Sequence, residues 1–578
     1  MMWNVIKVWG RSLFLAPVFI FLVVAFALPL LYIVPEAFGG DAAGRFLRIF
    51  QSPVYLKTIW TTVRISLEAT ALTLLISFPL AWFLSRATGL KAMLLGLLVL
   101  VPFLTSVLVR TFSWLAILGQ RGLINGTLLD LGLISQPLPL LFSEPAVILA
   151  LVHSSIPMMV FALVTILRRI DGRILLAACS LGANPLRAWL GNVVPLAIRG
   201  IQSGIIIIFL FTIASFIAPA FLGNQRQQML AQLIQSEIET GADWPFAAAL
   251  GITLAFVATL SVTVLSAVMR IFSRWQRPGE ISPASPPEPV ASAKSTLVRQ
   301  QIVMPSNRYQ LTAILSHGAR VFKPTYITLV SIFILLPLLV LFPISFSSAD
   351  VLIFPPPSYS LRWFETILGS PDWIDAALTS FRIAAATCIF SLILATLAVL
   401  GFGRQSFKLQ SALEALVQSP LSVPAVVFAL GAYLAFARVG LVDTETGIII
   451  AHTVLIFPVV YLVASSTYSS IDPGLSLAAA SLGANPLRVF RTIVFPLLSP
   501  GLAIGAVIAL LLSFDESVAS IFLSDLSVKT LPRKLWEGIR FNTSPESAAV
   551  SAILLMLTCI IVLIGMVVLN KRREKIFH

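Results

Sequence analysis

Charged side chains are scarce in this chain of 578 residues. Asp, Glu, Lys and Arg together make up 11% of it, whereas hydrophobic residues make up 58% and the mean hydropathy is +0.96. Soluble domains carry about 25% charged residues, so this composition excludes an ordinary soluble protein. Apolar stretches of about 20 residues, long enough to cross the hydrocarbon core of a bilayer, recur along the whole chain. Most of the chain is therefore expected to lie in lipid.

Cysteine and histidine are also rare, with three and four copies. Cys179, Cys388 and Cys559 are scattered without the spacing of a disulfide framework or a metal site, so we predict small apolar fillers. His153 and His452 stand near the starts of the fourth and tenth predicted spans, distant from any Cys or Asp cluster. We expect both to form hydrogen bonds between helices. No catalytic, cofactor-binding or metal-binding residue is predicted.

The apolar stretches predict an all-α polytopic membrane protein with about twelve transmembrane helices. Six lie on each side of a polar middle, so the second half enters the membrane in the same direction as the first and the halves are parallel repeats. The predicted domains are a first half (1–272), a linker (273–324) and a second half (325–578). The predicted spans are 13–35, 58–85, 92–118, 145–168, 197–222, 246–271, 325–346, 376–402, 410–436, 446–468, 498–523 and 547–569.

The linker is rich in Pro and Ser, as in residues 285–289, and little in it can pack as a core. Residues 308–323 are predicted as a short amphipathic helix on the membrane surface. The net charge of +14 is not gathered into a soluble domain, which excludes nucleic acid as a partner. Lys and Arg concentrate in the linker and in the loops on the side of both termini. By the positive-inside rule this side is the cytoplasm.

The first span is interpreted as a retained helix rather than a signal peptide, because it is long and no small-residue cleavage site follows it. We therefore expect a multi-pass protein, surrounded by lipid, with both termini in the cytoplasm.

One polar loop occurs twice. The octapeptide at Ser180–Arg187 returns letter for letter at Ser481–Arg488, 301 residues later (481 − 180). After a duplication, the membrane spans usually stay apolar while their exact sequences diverge. Identity in a loop between spans therefore indicates a docking site for a partner that binds twice.

Local rules predict a helix, a break and a second helix in each copy. Asp171 and Asp472 are predicted as N-caps of the first helix. Gly182 is the predicted break, and Pro185 suits the first turn of a second short helix. The small residues leave a smooth surface that another protein can approach closely.

The two loops resemble the cytoplasmic signature of ATP-binding-cassette importer permeases, Glu-Ala-Ala, three residues, Gly, nine residues and Ile-x-Leu-Pro. The Ala-Ala, Gly and Pro stand in register in both copies, but the Glu is replaced by Leu176 and Leu477, and the Ile position is Asn192 and Ile493. In the family this segment is a coupling helix seated in a cleft of the ATPase subunit. The resemblance implies that role for Ala177, Ala178, Gly182, Ala183, Asn184, Pro185, Arg187, Ala478, Ala479, Gly483, Ala484, Asn485, Pro486 and Arg488.

Residues 243–249 and 513–523 resemble the two permease subunits of spermidine/putrescine importers, here fused in one chain. This resemblance implies the type I importer permease fold in a bacterial inner membrane, and alternating access between the halves. A polyamine or similar cationic compound is the expected substrate. Fused permeases also occur among Fe(III) and thiamine importers, and the wider branch includes phosphonate and opine importers, so these substrates stay open.

The resemblance also implies partners. The chain contains no Gly-x-x-x-x-Gly-Lys-[Ser/Thr] phosphate cradle, so ATP and Mg are expected on a separate ATPase, present in two copies. This chain is then a translocation subunit and not an enzyme. A periplasmic substrate-binding protein is expected to deliver the small-molecule substrate to the outer loops.

Asp515 and Glu516 stand in an apolar run of the eleventh span, where a charge is costly and marks a pathway or a pair. The equivalent positions of the first half are Ala214 and Ser215, so the carboxylates lie on one side only. They are interpreted either as a transient counter-charge for a cationic substrate or as structural groups. The structural alternative is a pair with an arginine such as Arg64 or Arg382, or a broken helix capped by Ser513. Asp515, Glu516 and Ser215 are thus candidates for the substrate pathway.

Arg64 and Arg382 begin the second and eighth spans, where each is expected to snorkel to the outer interface or pair with a carboxylate. Glu68 lies one turn after Arg64 and suits an i,i+4 pair. Five aromatic residues are candidates for an aromatic gate or a cation–π contact with the substrate, although packing is the commoner role. They are Trp114, Phe216, Phe428, Tyr433 and Trp244.

A secondary transporter with twelve spans in two parallel halves fits the hydropathy equally well. Such a transporter would place its repeated signatures between early helices and carry carboxylates in several spans. This chain places its repeat between the fourth and fifth spans of each half, which favours the importer permease. A membrane scaffold is a distant third, since it needs no paired docking loops.

Overall fold

The structure is a computed structural model that describes residues 13–241, 243–275, 307–403, 409–525, 527–541 and 544–577. The regular structure in these ranges is helical, apart from one isolated β-bridge between Ser347 and Tyr359. The helices of the first half are α1 (Leu13–Phe38), α2 (Ala42–Gln51), α3 (Pro53–Arg86), α4 (Gly89–Phe103), α5 (Val107–Leu118), α6 (Leu123–Asp130), α7 (Glu144–Leu167), α8 (Arg173–Ser180), α9 (Pro185–Ala188), α10 (Val194–Ile213), α11 (Ile217–Leu222), α12 (Leu230–Ser236) and α13 (Trp244–Trp275).

The second half repeats this order apart from α6. Its helices are α14 (Asn307–Ser345), α15 (Arg362–Gly369), α16 (Pro371–Phe402), α17 (Gln410–Gln418), α18 (Ala425–Ala437), α19 (Glu445–Ser470), α20 (Pro473–Ser481), α21 (Pro486–Val489), α22 (Phe495–Asp515), α23 (Val518–Leu523), α24 (Leu531–Phe541) and α25 (Pro545–Phe577).

Ten helices in the described ranges are long and apolar enough to cross a membrane. The third and ninth predicted spans are instead bent pairs, with a turn of 93° before α5 and of 94° before α18. Pro102 lies just before the first bend and Pro424 at the second, where a missing N–H and the ring of Pro favour a break. Counting each pair as one span gives the twelve that the sequence predicts, in an all-helical fold.

The internal repeat extends far beyond the octapeptide. Helices α19, α23 and α24 begin at Glu445, Val518 and Leu531, which stand at the offset of the repeat from the first residues of α7, α11 and α12. The earlier helices follow a longer offset, because the first half has an additional helix, α6, before α7. Only residues 438–444 separate α18 from α19, so the second half has no room for a counterpart of α6. The remaining helices share one order in both halves.

Two glycine pairs bring helices together at equivalent places. A Cβ on Gly200 or Gly204 of α10 would lie 2.6 Å from side-chain atoms of α7. Their counterparts are Gly501 and Gly505 of α22, where a Cβ on Gly501 would collide with the Thr467 side chain of α19 and one on Gly505 would lie 3.1 Å from another side chain of that helix. Small residues four apart let membrane helices approach closely, so the long helix after each repeated loop is locked to the helix before it.

The first helix of each half packs against the other half. Helix α1 contacts α18, where a Cβ on Gly431 would lie 2.6 Å from the Pro29 carbonyl oxygen. Helix α14 contacts α4 and α5, and His153 Nε2 of α7 lies 3.0 Å from the Ile334 carbonyl oxygen. The two six-span halves are thus interleaved, and His153 forms the interhelical hydrogen bond expected of it.

Residues 276–306 of the predicted linker lie outside the described residues. Helix α13 runs to Trp275 and α14 begins at Asn307. The separate surface helix predicted at 308–323 is instead the first part of α14, because no break occurs before Ser345. The domain boundaries at 272 and 324 stay a prediction.

Asp443 connects two loops by hydrogen bonds at the end of the molecule opposite the repeated octapeptides. Its carboxylate accepts hydrogen bonds from the backbone N–H groups of Asp525 (2.8 Å), Ser527 (2.8 Å) and Val528 (3.0 Å). Its φ of 57° lies in the left-handed region, which Asp and Asn tolerate best after Gly. Partial burial raises the pKa of Asp443, but the N–H donors outweigh this effect and hold the pKa below its ordinary value.

Changing Asp443 to Asn should lower the thermal unfolding midpoint of the purified chain near neutral pH. A carboxyl group whose pKa is lowered by folding stabilises the fold above its unfolded pKa of about 3.9, and this stabilisation is lost as the pH falls through the folded pKa. The difference between Asp443→Asn and the unchanged chain should therefore shrink as the pH is lowered from about 7 towards 3. The exposed neighbour Asp525→Asn is the control, and a difference that does not change with pH would contradict this account.

Candidate docking loops and translocation pathway

Both repeated loops fold as a helix, a left-handed glycine and a second short helix. Gly182 and Gly483 have φ of 88° and 84°, a region that costs L-residues energy and glycine none. The Gly182 N–H donates to Cys179 O (2.9 Å) and the following N–H to Ala178 O (3.1 Å). The second loop repeats both bonds at 3.0 Å, which is the Schellman ending of a helix. The predicted break at glycine and the helices that begin at Pro185 and Pro486 are thus present.

The caps of these loops are close to those predicted. Asp472 caps α20 by accepting from the Gly474 N–H (2.8 Å). Asp171 accepts from the Arg173 N–H (2.9 Å), with Gly172 as the N-cap of α8, one residue later than predicted. Asn485 caps α21 by accepting from the Arg488 N–H (2.8 Å).

The tips of the two loops expose apolar side chains to the same degree. Leu181 is 90% exposed and its counterpart Leu482 is 89% exposed. Leu477, at the position of the missing Glu, is 66% exposed. The side chain of Pro185 lies outside the described part of the chain. Most of the other predicted docking residues are exposed, namely Ala177, Gly182, Asn184, Arg187, Ala478, Gly483, Asn485, Pro486 and Arg488, whereas Ala178, Ala183, Ala479 and Ala484 are half-buried.

Sequence reasoning did not include Leu181 and Leu482 among the docking residues, although both lie in the repeated octapeptide. The available signal was an apolar residue at the same place in two polar loops. Leu181 and Leu482 are thus an equivalent pair of almost fully exposed apolar side chains, one at the tip of each loop.

Each loop continues into a long helix that crosses the molecule. After α21 a π turn at Phe490–Val494 leads directly into α22, so helical backbone runs for 30 residues from Pro486 to Asp515. In the first half the corresponding helix runs from Trp189 to Ile213. At a rise of about 1.5 Å per residue the longer helix extends about 45 Å, so it connects the second repeated loop to the helix break after Asp515.

Asp515, at the end of that helix, contacts the other half of the chain. Its Oδ1 accepts from the Val107 N–H at 2.9 Å and so caps α5, just after the 93° bend. Arg110 lies one turn into α5, is only 3% exposed, and interacts electrostatically with Asp515. The arginine whose charge acts on Asp515 is therefore Arg110, which donates a hydrogen bond to the Ser154 carbonyl oxygen (3.5 Å) and which the sequence analysis did not consider.

Arg64 and Arg382, the partners considered for Asp515, bind other carboxylates. Arg64 Nη2 lies 2.6 Å from Glu144 Oε2, and Arg382 Nη2 lies 2.6 Å from Glu445 Oε1. Glu144 and Glu445 are themselves counterparts in the repeat, and both begin a helix, where a carboxylate is favourable. Arg64 also lies 3.7 Å from Glu68, the i,i+4 pair expected.

The helix breaks after Asp515, and Glu516 caps the next helix. Glu516 Oε1 accepts from the Ala519 N–H at 3.0 Å at the start of α23. Ser513, the cap considered from the sequence, instead lies 2.9 Å from His452 Nδ1. The first half breaks at the matching place, around Ser215, whose N–H donates to Thr212 O (3.1 Å). Both halves therefore interrupt a span at the same depth, but only the second carries carboxylates there.

The predicted aromatic residues contact different neighbours. Trp114 packs against His153 and Phe333, with ring centroids 5.7 and 5.6 Å away. Tyr433 stacks on Trp244 with the centroids 4.0 Å apart and the planes 4° apart, which joins α18 to α13.

Phe428 contacts Phe26 of α1 with the ring centroids 5.8 Å apart. Phe216 is buried and lies 5.3 Å from Trp536, which also contacts Phe221 at 4.8 Å. Trp536 belongs to α24 and both phenylalanines belong to the first half. The cluster of Phe216, Phe221 and Trp536 therefore packs one half against the other. The predicted aromatics are thus distributed over several contacts.

One ion pair joins counterpart residues of the two halves. Arg540 Nη1 contacts Glu239 Oε2, and the two residues are 301 positions apart, the offset of the repeat. A residue that touches its own counterpart must lie beside the axis that relates the halves. The pair lies at the end opposite the docking loops and one turn from Trp536. Sequence reasoning missed it, because the offset relates the two positions without placing them in contact.

A profile described as binding-protein-dependent transport system inner membrane component matches residues 389–575. The spermidine/putrescine transport system permease protein PotB of Haemophilus influenzae is 31% identical over 223 residues, 39% of this chain and 78% of that protein. PotC of the same system from Escherichia coli K12 is 24% identical over 255 residues, 44% of this chain and 96% of that protein.

Among solved structures, a bacterial ABC transporter involved in the import of alginate matches with 19% identity and a TM-score of 0.40 over 47% of this chain and 98% of that chain. The repeated loops, the helical fold and the extent of the match to PotB all indicate the same family. The chain belongs to the family of inner-membrane permeases of binding-protein-dependent ATP-binding-cassette importers.

Proposed function

We propose that this chain is the translocation unit of an importer that carries a polyamine or a similar organic cation inward. Two ATPase subunits dock at the two repeated loops and hold ATP and Mg. A periplasmic binding protein delivers the cation at the opposite end, and both termini lie in the cytoplasm. The observation that carries the proposal is the pair of loops with the same backbone geometry and the same exposed leucine at the tip.

The substrate class rests on the relatives and on one feature of the pathway. PotB and PotC serve spermidine and putrescine transport. Asp515 and Glu516 place two carboxylates at the helix break of the second half, next to the interface with α5. A cation that passes this break meets negative charge where the apolar surroundings make it effective. Fe(III), thiamine, phosphonate and opine remain the alternatives to be compared in the uptake experiment.

The movement of the two halves during transport depends on the long helix that follows each docking loop. When ATP closes the ATPase dimer, each loop moves with its ATPase, and the long helix after it carries the movement to the interface between the halves. Separation of the halves at the far end requires that the Glu239–Arg540 pair and the Trp536 cluster come apart. This is a rocking movement of two parallel repeats about the site between them.

The proposal is tested by uptake into proteoliposomes that contain the full chain, its ATPase and its binding protein. We expect labelled spermidine to enter only when ATP is on the ATPase side. Uptake driven by an ion gradient without ATP would favour the secondary transporter, and ATP-driven uptake of thiamine or Fe(III) but not spermidine would replace the substrate class.

A reversible cross-link across the axis should stop transport. In a variant whose three native cysteines are Ser, the double change Glu239→Cys and Arg540→Cys places one thiol on each side of the contact that the ion pair occupies. A short bifunctional thiosulfonate, which joins two thiols through two disulfides, spans the gap left by the two long side chains. Cross-linking should reduce uptake to background, because the halves can no longer separate, and reduction should restore it. The single variant Arg540→Cys, treated identically, should be unaffected by the reagent. Undiminished uptake by the cross-linked protein would show that this end of the interface does not open.

A further inference from the structure

A groove of about 920 Å³ opens beside the first docking loop, between α3, α4 and α14. It lies at the docking-loop end, because Arg86, which lines it, donates hydrogen bonds to Leu167 O (2.8 Å) and Ile170 O (2.9 Å) at the base of that loop. Its walls come from both halves of the chain, since α14 is the first helix of the second half.

The lining is amphipathic along the length of the groove. Arg86, Lys91 and Lys323 stand at one end, and the other end is apolar, with residues such as Leu98, Val101 and Leu335. None of the described lining residues is Asp or Glu. A site with cations at the membrane surface and hydrocarbon below it matches one kind of molecule, an acidic lipid with its head group at the surface and its chains in the bilayer.

The two lysines are available to such a ligand. Lys91 and Lys323 are exposed, and no ion pair joins either of them to a carboxylate within the described part of the chain. Lys323 Nζ lies 5.3 Å from the centre of the Phe83 ring. Arg86 is already held by two carbonyl oxygens and by the face of Trp82 at 4.1 Å, so it presents a fixed positive charge rather than a mobile one.

We propose that this groove binds an anionic phospholipid. The phosphate lies between Lys91 and Lys323, the fixed charge of Arg86 adds to the attraction, and an acyl chain follows the apolar part of α4 and α14. Basic pockets between membrane helices on the cytoplasmic side bind acidic head groups in this way. The lipid bridges the two halves next to the loop that receives the first ATPase.

Lipid retention by the purified full chain tests this site without any partner protein. The chain is reconstituted in nanodiscs of phosphatidylcholine with a minor fraction of phosphatidylglycerol, extracted in mild detergent, and its retained lipids are quantified. Changing Lys91 and Lys323 to Gln should lower retained phosphatidylglycerol about tenfold, because two charges near the surface are removed. Retained phosphatidylcholine should not change. The control is Lys57→Gln, an exposed lysine near the opposite end of α3.

Each outcome of the lipid-retention experiment either supports or overturns the proposal. Selective retention by the unchanged chain and by Lys57→Gln, resistant to excess inorganic phosphate, supports a lipid site. Displacement by phosphate would reduce the site to a simple anion site and overturn the proposal. Equal retention by the double lysine variant would overturn it as well. An increase in retained phosphatidylglycerol when residues 276–306 are deleted would overturn the lipid as native occupant and assign the groove to the linker. The proteoliposome uptake experiment is independent, so failure of the lipid site and failure of the proposed transport are distinguishable.

Discussion

Changing both Leu181 and Leu482 to Asp should release the ATPase from the permease and abolish ATP-driven uptake. Burying one leucine is worth about 1.5–3 kcal/mol, and placing an unpaired carboxylate in the same cleft costs more. Since about 1.4 kcal/mol is a factor of ten in affinity, each change should weaken docking at its loop by at least about tenfold. The fold itself should be unaffected, because both side chains are almost fully exposed in the chain alone.

Co-purification of the ATPase through a tag on this chain measures the effect. Leu133→Asp is the matched control, because that leucine is also exposed (67%) but lies in the loop between α6 and α7. The control should retain the ATPase. Normal ATPase recovery with the double leucine variant would remove the docking role of these loops. Gly182 and Gly483 give a second route, since a bulky side chain at these left-handed positions should distort each loop while leaving membrane insertion intact.

Changing Asp515 to Asn alone should destabilise the protein and stop uptake. Arg110 is buried and its charge interacts with that of Asp515, so removing the carboxylate takes away an interaction that stabilises a buried charge. The cap of α5 is weakened too. Thermal unfolding of the detergent-purified chain should show a lower midpoint, and spermidine uptake should be lost. This single variant does not distinguish a structural Asp515 from one that also meets the substrate.

The double variant Arg110→Gln and Asp515→Asn makes that distinction. Removing both charges also eliminates the buried charge of Arg110, so the unfolding midpoint should return most of the way to that of the unchanged chain. If Asp515 also serves as a counter-charge, uptake of spermidine should stay low despite the recovered stability. Recovered uptake would make Asp515 a purely structural residue. Adding Glu516→Gln to this double variant, with spermidine uptake as the measurement, then tests whether the neighbouring carboxylate is the counter-charge for the cation.

The sequence predicted the backbone of the two repeated loops well because the information for it is local. A repeated octapeptide, a glycine break and a proline at a helix start are all recognised within a short stretch of chain. Hydropathy likewise predicted where the spans lie, since each must be apolar over its own length. The third and ninth spans are bent in ways that hydropathy does not record, because the bend depends on which carbonyl groups neighbouring helices satisfy.

The contacts that join the halves were not predictable in the same way. Asp515 interacts electrostatically with Arg110, which lies in the other half of the sequence, and the two arginines considered first bind Glu144 and Glu445 instead. Nothing local to Asp515 distinguishes these partners. The same holds for the Glu239–Arg540 pair: the offset of the repeat relates the two positions, but only the structure shows that they are in contact.

The mass of the native complex, purified through this chain with its ATPase co-expressed, tests the central claim most directly. The account predicts one copy of the chain with two ATPase subunits, and a loss of ATPase when Leu181 and Leu482 are both changed to Asp. A chain that purifies without any ATPase while membranes still take up the substrate would contradict the account.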